Sequence, residues 1–162
     1  MDVRIRDAVA ADRAAIVAAN RAGQPGVTAL SDAVIDDCYA RATLFRVAEL
    51  AGEVCAYLIA LAPGFVEIGD EYAWFSARGS DFLYVDQIAV ATHAQRRGIA
   101  RALYADVEQA ARARGLVRIT CDVNLRPPNP ESLAFHAAAG FREVGRIEVS
   151  DGRFAALLEK PL

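Results

Sequence analysis

Cysteine is scarce in this chain of 162 residues, which has only Cys38, Cys55 and Cys121. The three are odd in number and widely spaced, and none belongs to a C-x-x-C pair or a Cys/His cluster. A disulfide framework or a zinc site needs paired or clustered cysteines, so the sequence argues against both. We expect reduced, mostly buried thiols and no metal ion.

Long apolar runs and a strong charge of either sign are also missing. No run approaches the roughly 18 apolar residues of a membrane span, and residues 1–13 carry charges where a signal peptide is apolar. The net charge of -3 gives no general attraction for nucleic acid or an anionic membrane. We therefore expect a cytoplasmic protein with a small ligand, no membrane contact and no nucleic-acid partner. The length fits one domain over residues 1–162.

Periodicity in the first third of the chain predicts a strand, two helices and a hairpin. Residues 3–6 alternate like a short strand, and a helical pattern follows Asp12. Ser31 is placed to cap a second helix that ends near residue 41. The apolar segments 44–50 and 53–61 flank an Ala-Gly pair as the strands of an antiparallel hairpin do.

Residues 63–81 have neither a helical nor a strand period and are predicted to be an irregular loop. The secondary-structure patterns are clearer after this segment. Residues 82–90 have the pattern of an apolar strand, and residues 98–115 that of an amphipathic helix. The next strand is predicted over 116–123. A strand, a helix and a strand joined by a right-handed crossover indicate a parallel pair.

A helix and a second hairpin complete the pattern. Pro130 is placed to open the helix and Gly140 to stop it. Segments 142–150 and 153–161 alternate around an Asp-Gly turn, the strongest hairpin signal in the chain. The predicted fold class is α/β (α+β), with a mixed, mostly antiparallel sheet of about seven strands, a central parallel pair and about four helices.

The segment most informative about function is Gln95-Arg96-Arg97-Gly98-Ile99-Ala100, between the end of a strand and the start of the long helix. The unpaired N–H groups and the dipole of a helix N-terminus attract phosphate oxygens. Gly98 and Ala100 are small enough to let the backbone approach a pyrophosphate, and two arginines add positive charge. The segment is neither a Walker loop nor a G-x-G-x-x-G fingerprint.

These residues resemble the GNAT superfamily of acetyl-CoA-dependent N-acyltransferases. Gln95, Gly98 and Ala100 match its pyrophosphate signature of Gln or Arg, two residues, Gly, one residue, then Gly or Ala. A second signature of the family is similar to the segment NPESLAFHAAAGF, from Asn129 to Phe141. The two motifs follow in the family's order, and the resemblance spans most of the chain.

The resemblance implies a GNAT-like acyl-CoA N-acyltransferase fold, with acetyl-CoA or coenzyme A as co-substrate. Backbone N–H groups near Ala89 and Val90 would face the pantetheine and the thioester carbonyl. Asn129 would contact the cofactor, and Ser132 would lie on the same side. The residues expected to bind the cofactor are Ile88, Ala89, Val90, Gln95, Arg96, Arg97, Gly98, Ile99, Ala100, Asn129 and Ser132.

Transfer to an amine requires a proton acceptor, a group that stabilises the oxyanion and an acid for the departing thiolate. Strand alternation places Tyr84, Asp86 and Ile88 on one face, and Asp86 is the only carboxylate among them. Asp86 is therefore the candidate base, acting directly or through a water. The alternative is that Asp86 satisfies a backbone N–H or pairs with an arginine.

His136 stands where members of the resembled family often have tyrosine, and it is the candidate acid. An unperturbed histidine is protonated in only about a quarter of molecules at pH 7, so the role needs a neighbouring carboxylate that raises its pKa. The alternative is a histidine packed beside Phe135 without proton transfer. Tyr84 and Tyr104 are weaker substitutes for the acid.

The loop predicted over residues 63–81 is where we expect the acceptor to be recognised. Its large aromatic and acidic side chains could attract a cationic amine. The alternative is that the aromatic rings only cover the sheet or form a subunit contact. The side chains concerned are Glu67, Asp70, Glu71, Tyr72, Trp74 and Phe75.

The function these features predict is that of an N-acetyltransferase, which moves an acetyl or other short acyl group from acetyl-CoA to a primary amine in a ternary complex. The acceptor is expected to be a small molecule or a peptide, and the terminal hairpin could pair with a second copy in a homodimer. One alternative is a non-catalytic acyl-CoA-binding or regulatory protein of the same fold. A doubly wound nucleotide-binding module fits less well, because hairpins flank the one clear crossover.

Overall fold

Seven strands and five α-helices make up the computed structural model, which describes residues 2–162. In chain order the elements are β1 Val3–Asp7, α1 Arg13–Gly23, α2 Asp32–Arg41, β2 Leu44–Leu50, β3 Glu53–Leu61, α3 Asp70–Ser76, β4 Phe82–Val90, α4 Ile99–Ala113, β5 Arg118–Arg126, α5 Pro130–Ala138, β6 Arg142–Glu148 and β7 Phe154–Pro161. Short 3-10 helices span Ala10–Asp12 and Thr92–Ala94.

The strands form one mixed sheet in the order β1-β2-β3-β4-β5-β7-β6. Strands β4 and β5 are parallel, with Phe82 beside Arg118 and Tyr84 beside Thr120. The pairs β1–β2, β2–β3, β5–β7 and β6–β7 are antiparallel. The predicted mixed sheet with one parallel pair between antiparallel hairpins is thereby confirmed.

Internal contacts divide the chain into two compact units. The first unit comprises the residues up to Ala60 together with Gln87–Val107. The second unit comprises Leu61–Asp86 and Glu108–Leu162. Each unit therefore combines segments that are distant in sequence.

Helices α1 and α2 cover one face of the strands in the first unit. The 3-10 helix that precedes α1 is capped by Asp12, whose carboxylate accepts a 2.8 Å hydrogen bond from the Val9 N–H and binds Arg6 at 2.7 Å. The start of α2 is fixed by Ser31, whose hydroxyl accepts from the Val34 N–H as the sequence predicts. The buried core between these elements consists of Ile16, Ala19, Ile35, Phe45, Val47, Tyr57, Ile59 and Ala89.

A buried polar network sets the orientation of strand β4 within this unit. The Tyr57 hydroxyl donates to Gln87 Oε1 at 2.7 Å, and Gln87 Nε2 donates to the Thr28 hydroxyl at 2.8 Å. Asn20 Nδ2 donates to the Thr28 carbonyl at 2.9 Å. Successive side chains of a strand point to opposite faces of the sheet. Because these hydrogen bonds fix the face to which Gln87 points, the preceding residue, Asp86, points to the opposite face.

Helix α3 lies in the segment that the sequence predicts to be an irregular loop, and that prediction was wrong for Asp70–Ser76. Two turns are too short for a helical period to register in the sequence. Tyr72 and Phe75, three residues apart, are both buried. Their rings pack against Tyr84, with centroids 5.6 and 6.0 Å away. Burial of these rings against the sheet stabilises this short helix, whose sequence shows no clear helical period.

Two smaller predictions also needed correction. The helices number five rather than about four among residues 2–162, because α3 was missed. Strand β5 covers Arg118–Arg126 instead of 116–123. It continues because its pairing with β7 runs on as far as Arg126 and Phe154.

Candidate active site

The predicted pyrophosphate segment lies in the first unit, immediately before helix α4. Gly98 has φ 78°, a left-handed conformation that glycine adopts without strain. A Cβ placed on Gly98 would meet no atom within 4 Å, so the space beside this backbone is open. Arg96 also has a left-handed φ, 60°, which is costly for a residue with a side chain. The loop is therefore held in a shape that exposes the first N–H groups of a 15-residue helix.

Side chains on either side of Gly98 hold this segment in place. Gln95 Nε2 donates a 3.1 Å hydrogen bond to the carbonyl of Val90, the last residue of β4. Ile99 is buried, so it anchors the first turn of α4 in the core. Arg96 and Arg97 are exposed, and their charges face solvent. Backbone N–H donors and exposed positive side chains together suit a polyanionic group.

The remaining residues of the first unit that the sequence predicts to bind the cofactor lie on β4. Ala89 is buried, whereas Ile88 and Val90 are half-buried. A Cβ on Gly23 of α1 would be 3.0 Å from the Ala89 Cβ, so helix and strand approach closely here.

Asn129 and Ser132 lie in the second unit at the start of α5. The Asn129 side chain caps this helix, because its Oδ1 accepts a 3.3 Å hydrogen bond from the Ser132 N–H. The Ser132 hydroxyl is 3.3 Å from Nδ1 of His136, one turn further along the helix. The structure therefore brings together Asn129, Ser132 and His136, as helical spacing requires.

His136 is buried, and this burial lowers its pKa below the ordinary value. Its Nδ1 lies 2.7 Å from the Ser132 carbonyl oxygen. A carbonyl can only accept, so Nδ1 carries the proton and Nε2 is the acceptor nitrogen of the neutral ring. Phe135 and Phe141 flank the ring edge to face, each with a centroid distance of 5.2 Å. The rise in pKa that an acid role requires is therefore absent, and His136 is mainly neutral at pH 7.

Asp86 projects from the strand β4 near the point where β4 stops pairing with β5. The last residues paired between the two strands are Tyr84 and Thr120. Asp86 makes no hydrogen bond or ion pair with any other residue in the described range 2–162. Surrounding protein and then the charge of Glu71 raise its pKa to about 6, although the side chain is exposed.

Asp122 of β5 is a second carboxylate with a raised pKa. Its Oδ1 accepts a 2.5 Å hydrogen bond from the Tyr84 hydroxyl. Burial and then the charge of Glu71 raise the pKa of Asp122 to about 7, against the opposing effect of the Tyr84 hydrogen bond. Two carboxylates that titrate near neutrality within one unit are suited to accepting protons at physiological pH.

Glu71 of α3 is almost fully buried, with 6% of its surface exposed. Its Oε1 forms a 2.8 Å ion pair with Arg153, which precedes β7. Arg153 also donates to Asn124 at 3.1 Å and to Asp151 at 2.7 Å. Glu71 is therefore paired within the protein, whereas the sequence predicts a side chain that meets a cationic acceptor.

Sequence comparison decides the family. The model of the "Acetyltransferase (GNAT) family" matches residues 18–141. The chain belongs to the GNAT family. The predicted family membership is thereby confirmed, and the predicted pyrophosphate segment, residues 95–100, falls inside the matched range. A comparison with curated proteins finds no match.

Solved structures agree with the GNAT assignment at the level of the fold. Ard1 from Thermoplasma volcanium has a TM-score of 0.79 and 16% identity, over 99% of this chain and 97% of that one. The ribosomal-protein-S18-alanine N-acetyltransferase of Escherichia coli has a TM-score of 0.74 and 19% identity, over 99% and 94%. N-acetylglutamate synthase from Neisseria gonorrhoeae, solved with coenzyme A and N-acetyl-glutamate, has a TM-score of 0.76 and 21% identity. That match covers 100% of this chain and 35% of the synthase.

The aromatic residues of α3 cover the sheet of this GNAT protein, which favours the alternative interpretation of the 63–81 segment. Trp74 packs so tightly on β6 that a Cβ on Gly145 would lie 2.6 Å from its ring. The guanidinium of Arg78 also stacks on the indole, 3.5 Å from the ring centroid. The Tyr72 hydroxyl donates to the Ala62 carbonyl at 2.7 Å. These side chains are occupied by contacts within the second unit.

Sequence reasoning missed Asp122 and the pairing of Glu71 with Arg153. One signal for Asp122 is present, because it is the only acidic residue within the apolar pattern of the strand predicted at 116–123. The sequence contains no signal for the pairing of Glu71 with Arg153, because this pairing depends on helix α3, which the sequence pattern does not predict.

Two absences hold for the part of the chain that the structure describes. Within residues 2–162, no group of three or more His, Cys, Asp or Glu side chains is arranged to hold a metal ion. None of the helices there has both the length and the apolar character that crossing a membrane requires.

Proposed function

We propose that this GNAT protein transfers an acetyl group from acetyl-CoA to a primary amine by direct attack in a ternary complex. The observation that carries the proposal is the open backbone at Gly98, immediately before the first turn of α4. Such a turn presents several N–H donors and the positive end of a helix dipole, which suits a pyrophosphate.

The cofactor contacts in this proposal follow the pyrophosphate segment. Backbone N–H groups around Gly98, Ile99 and Ala100 bind the pyrophosphate, and Arg96 and Arg97 add charge to its rim. Backbone N–H groups near Ala89 and Val90 bind the pantetheine and the thioester oxygen, with Ile88 beside them. Gln95 acts indirectly, because its amide is committed to the Val90 carbonyl. At the start of α5, Asn129 and Ser132 meet the remainder of coenzyme A.

Asp86 accepts the proton of the attacking ammonium group in this proposal, directly or through a water. A base must be ionised at the working pH and yet bind a proton well, so a pKa close to neutrality is favourable. The pKa of Asp86 is about 6, and its exposed carboxylate has no protein partner that would compete with the substrate. The negative charge of Asp86 and its neighbours also attracts a cationic amine.

His136 can protonate the departing thiolate only as an imidazolium, because the proton of its neutral ring is held by Ser132. Burial disfavours the imidazolium. His136 therefore acts as the acid only in the small fraction of enzyme molecules in which its ring is protonated. The thiolate otherwise takes its proton from water.

The experiment is an assay of free thiol released from acetyl-CoA in the presence of a panel of amines. The panel contains peptides with free N-termini, amino acids and small diamines, since the neighbouring structures are named for protein and amino-acid substrates. The test variant is Ala100→Glu, which places a negative side chain against the pyrophosphate. The matched control is Ala105→Glu, the same change on an exposed position of α4.

We expect thiol release with one class of amine in the native protein and in Ala105→Glu, and its loss in Ala100→Glu. Equal turnover in the two variants would show that α4 does not bind the pyrophosphate.

A second candidate function is that of a non-catalytic acyl-CoA-binding protein. The neutral, buried state of His136 favours it, because the protein then lacks an effective acid. Both functions predict coenzyme A binding that is sensitive to Ala100→Glu in calorimetry. Only the transferase releases thiol when an amine is added, so binding without turnover over the whole panel would favour the second function.

A further inference from the structure

Three polar side chains, which we call the β5 polar row, lie on one face of strand β5. They are Thr120, Asp122 and Asn124, at alternate positions of the strand. The pairing of β5 with β7 is regular from Arg118 to Asn124, so all three side chains point to the same face. Thr120 is fully buried and Asn124 is 4% exposed, whereas Asp122 is half-buried.

Each side chain of the β5 polar row has one polar group without a partner in the part of the chain that the structure describes. Asp122 accepts from the Tyr84 hydroxyl on Oδ1, at 2.5 Å, and its Oδ2 accepts from no side chain or backbone group there. Asn124 accepts from Arg153 on Oδ1, at 3.1 Å, and its Nδ2 donates to no residue there. Thr120 Oγ1 is the one fully shielded side-chain atom of residues 2–162 that has no hydrogen-bond partner. Such unpaired polar groups are rare on buried surfaces of folded proteins.

The paired atoms fix how the unpaired groups of Asp122 and Asn124 are presented. Tyr84 is 2% exposed, so packing fixes the hydroxyl that holds Asp122. Arg153 binds Glu71 at 2.8 Å as well as Asn124, and these contacts fix its guanidinium. Asp122 thus presents a hydrogen-bond acceptor and Asn124 a donor, from positions about 6.6 Å apart along the strand.

We propose that the β5 polar row binds the acceptor substrate as an α-amino amide, the group found at the N-terminus of a peptide. The ammonium group contacts Oδ2 of Asp122, and the adjacent carbonyl oxygen accepts a hydrogen bond from Nδ2 of Asn124. This inference rests on the proposed function, which requires a primary amine and does not specify the group beside it.

The covalent spacing of an α-amino amide suits these two contacts. Three bonds separate its nitrogen from its carbonyl oxygen, and a hydrogen bond adds about 2.9 Å at each end. A ligand of this length bridges side chains that are two residues apart on one face of a strand.

The same face of the sheet carries Asp86, the proposed base. The last paired residues of the parallel strands are Tyr84 and Thr120. Asp86 lies two residues past Tyr84, and Asp122 lies two residues past Thr120, so both aspartates project from the face to which that pair points. An ammonium group held by Asp122 is therefore on the side of the sheet where Asp86 can accept its proton.

The charges around the β5 polar row disfavour two other classes of amine. An amino acid carries a carboxylate beside its ammonium group, and Asp122 repels that carboxylate. Arg153, the positive side chain that contacts the row, is already bound by three side chains, those of Glu71, Asn124 and Asp151. A diamine has no oxygen to accept from Asn124, so its binding would leave that donor unpaired.

The test compares three small amines that differ in the group beside the amine: glycinamide, glycine and 1,2-diaminoethane. Each is titrated into the native protein with coenzyme A present, so that no acetyl group is available for transfer. NMR follows the side-chain amide signals of Asn124 and gives a Kd. We expect glycinamide to shift these signals and to bind at least about tenfold more tightly than either other amine. Equal affinities, or Asn124 signals that glycinamide leaves unshifted, would overturn the proposal.

Asn124→Asp removes the donor and keeps an oxygen that accepts from Arg153. The added negative charge favours a second ammonium group, so we expect 1,2-diaminoethane to bind this variant more tightly than glycinamide. Gln109→Glu, the same amide-to-carboxylate change on an exposed position of α4, should keep the native order of affinities. The backbone amide signals of β5 report binding to both variants. The native order in a folded Asn124→Asp protein would contradict the proposal.

These titrations do not depend on turnover. Native protein that shows the expected order of affinities and releases no thiol with any amine would refute the transferase function and leave the role of the β5 polar row standing. Thiol release with glycine or 1,2-diaminoethane preferred over glycinamide would refute only the role of the β5 polar row.

Discussion

The Tyr84 hydroxyl donates a 2.5 Å hydrogen bond to Oδ1 of Asp122. Burial and the charge of Asp122 raise the pKa of Tyr84 well above its ordinary value, so the phenol remains a donor at physiological pH. This bond occupies one oxygen of Asp122, whereas Asp86 on the neighbouring strand has no such partner in the described chain. The difference between the two aspartates is the basis for assigning proton transfer to Asp86.

Replacing each aspartate by asparagine tests this assignment. We expect Asp86→Asn to lower kcat/KM at pH 7 by about 100-fold or more, because an amide cannot accept the proton. Coenzyme A affinity, measured by calorimetry, should be unchanged. Asp122→Asn should cost less, since the amide oxygen still accepts from Tyr84. A larger loss in Asp122→Asn than in Asp86→Asn would transfer the role to Asp122.

The raised pKa values of Asp86 and Asp122 make the stability of the folded protein depend on pH. Their pKa values in the folded protein, about 6 and about 7, are above the usual value near 3.9 for an unfolded chain. Between pH 4 and 7 the folded state therefore binds more protons than the unfolded state, and its stability falls as pH rises. This contribution is complete below about pH 4 and is lost as pH passes through the folded pKa values.

Thermal unfolding of the double variant Asp86→Asn/Asp122→Asn measures this contribution. We expect the fall in Tm between pH 5 and pH 7.5 to be smaller in the double variant than in the native protein. A fall of the same size in both would show that the two aspartates titrate normally in the folded state.

The sequence predicted the turn at Gly98 and the helix that follows it because the relevant properties are local. Gly98 favours a left-handed turn, and a helix begins at Ile99; both depend mainly on neighbouring residues and little on the rest of the chain. The hairpins and the α2 cap at Ser31 are local in the same sense. Family membership and the mixed sheet could be predicted from the order in which such local patterns occur along the chain.

The proposed proton-accepting groups were predicted less completely because their properties depend on tertiary packing. The raised pKa of Asp122 comes from burial, and burial depends on α3, whose two turns give no clear period. The Glu71 and Arg153 pair joins residues far apart in the chain. The same reasoning explains His136, where the sequence shows the residue but not the burial that lowers its pKa.

His136→Phe tests whether the imidazole supplies a proton. The neutral ring already packs between Phe135 and Phe141, so a phenyl group fits the same surroundings. We expect kcat to fall by less than about tenfold, because little imidazolium is present at pH 7. A loss of about 100-fold with unchanged coenzyme A affinity would establish His136 as the acid.

Gly145→Ala tests the packing of Trp74 on β6. The new methyl group would lie 2.6 Å from the indole, so the ring must move. We expect a destabilisation of about 1–3 kcal/mol, the usual cost of overpacking. Trp74 is the only tryptophan in the chain, so its fluorescence reports the displacement directly. An unchanged emission spectrum and an unchanged Tm would show that the ring does not pack there.

In the proposed reaction the acetyl group of acetyl-CoA is transferred to an amine. The most direct measurement is mass spectrometry of the amine after incubation with acetyl-CoA carrying a ¹³C-labelled acetyl group, in parallel with a count of free thiol. We expect one labelled acetylated amine for each thiol released in native protein, and neither product in Ala100→Glu. Thiol release without a labelled amine would mean hydrolysis, and it would contradict the claim.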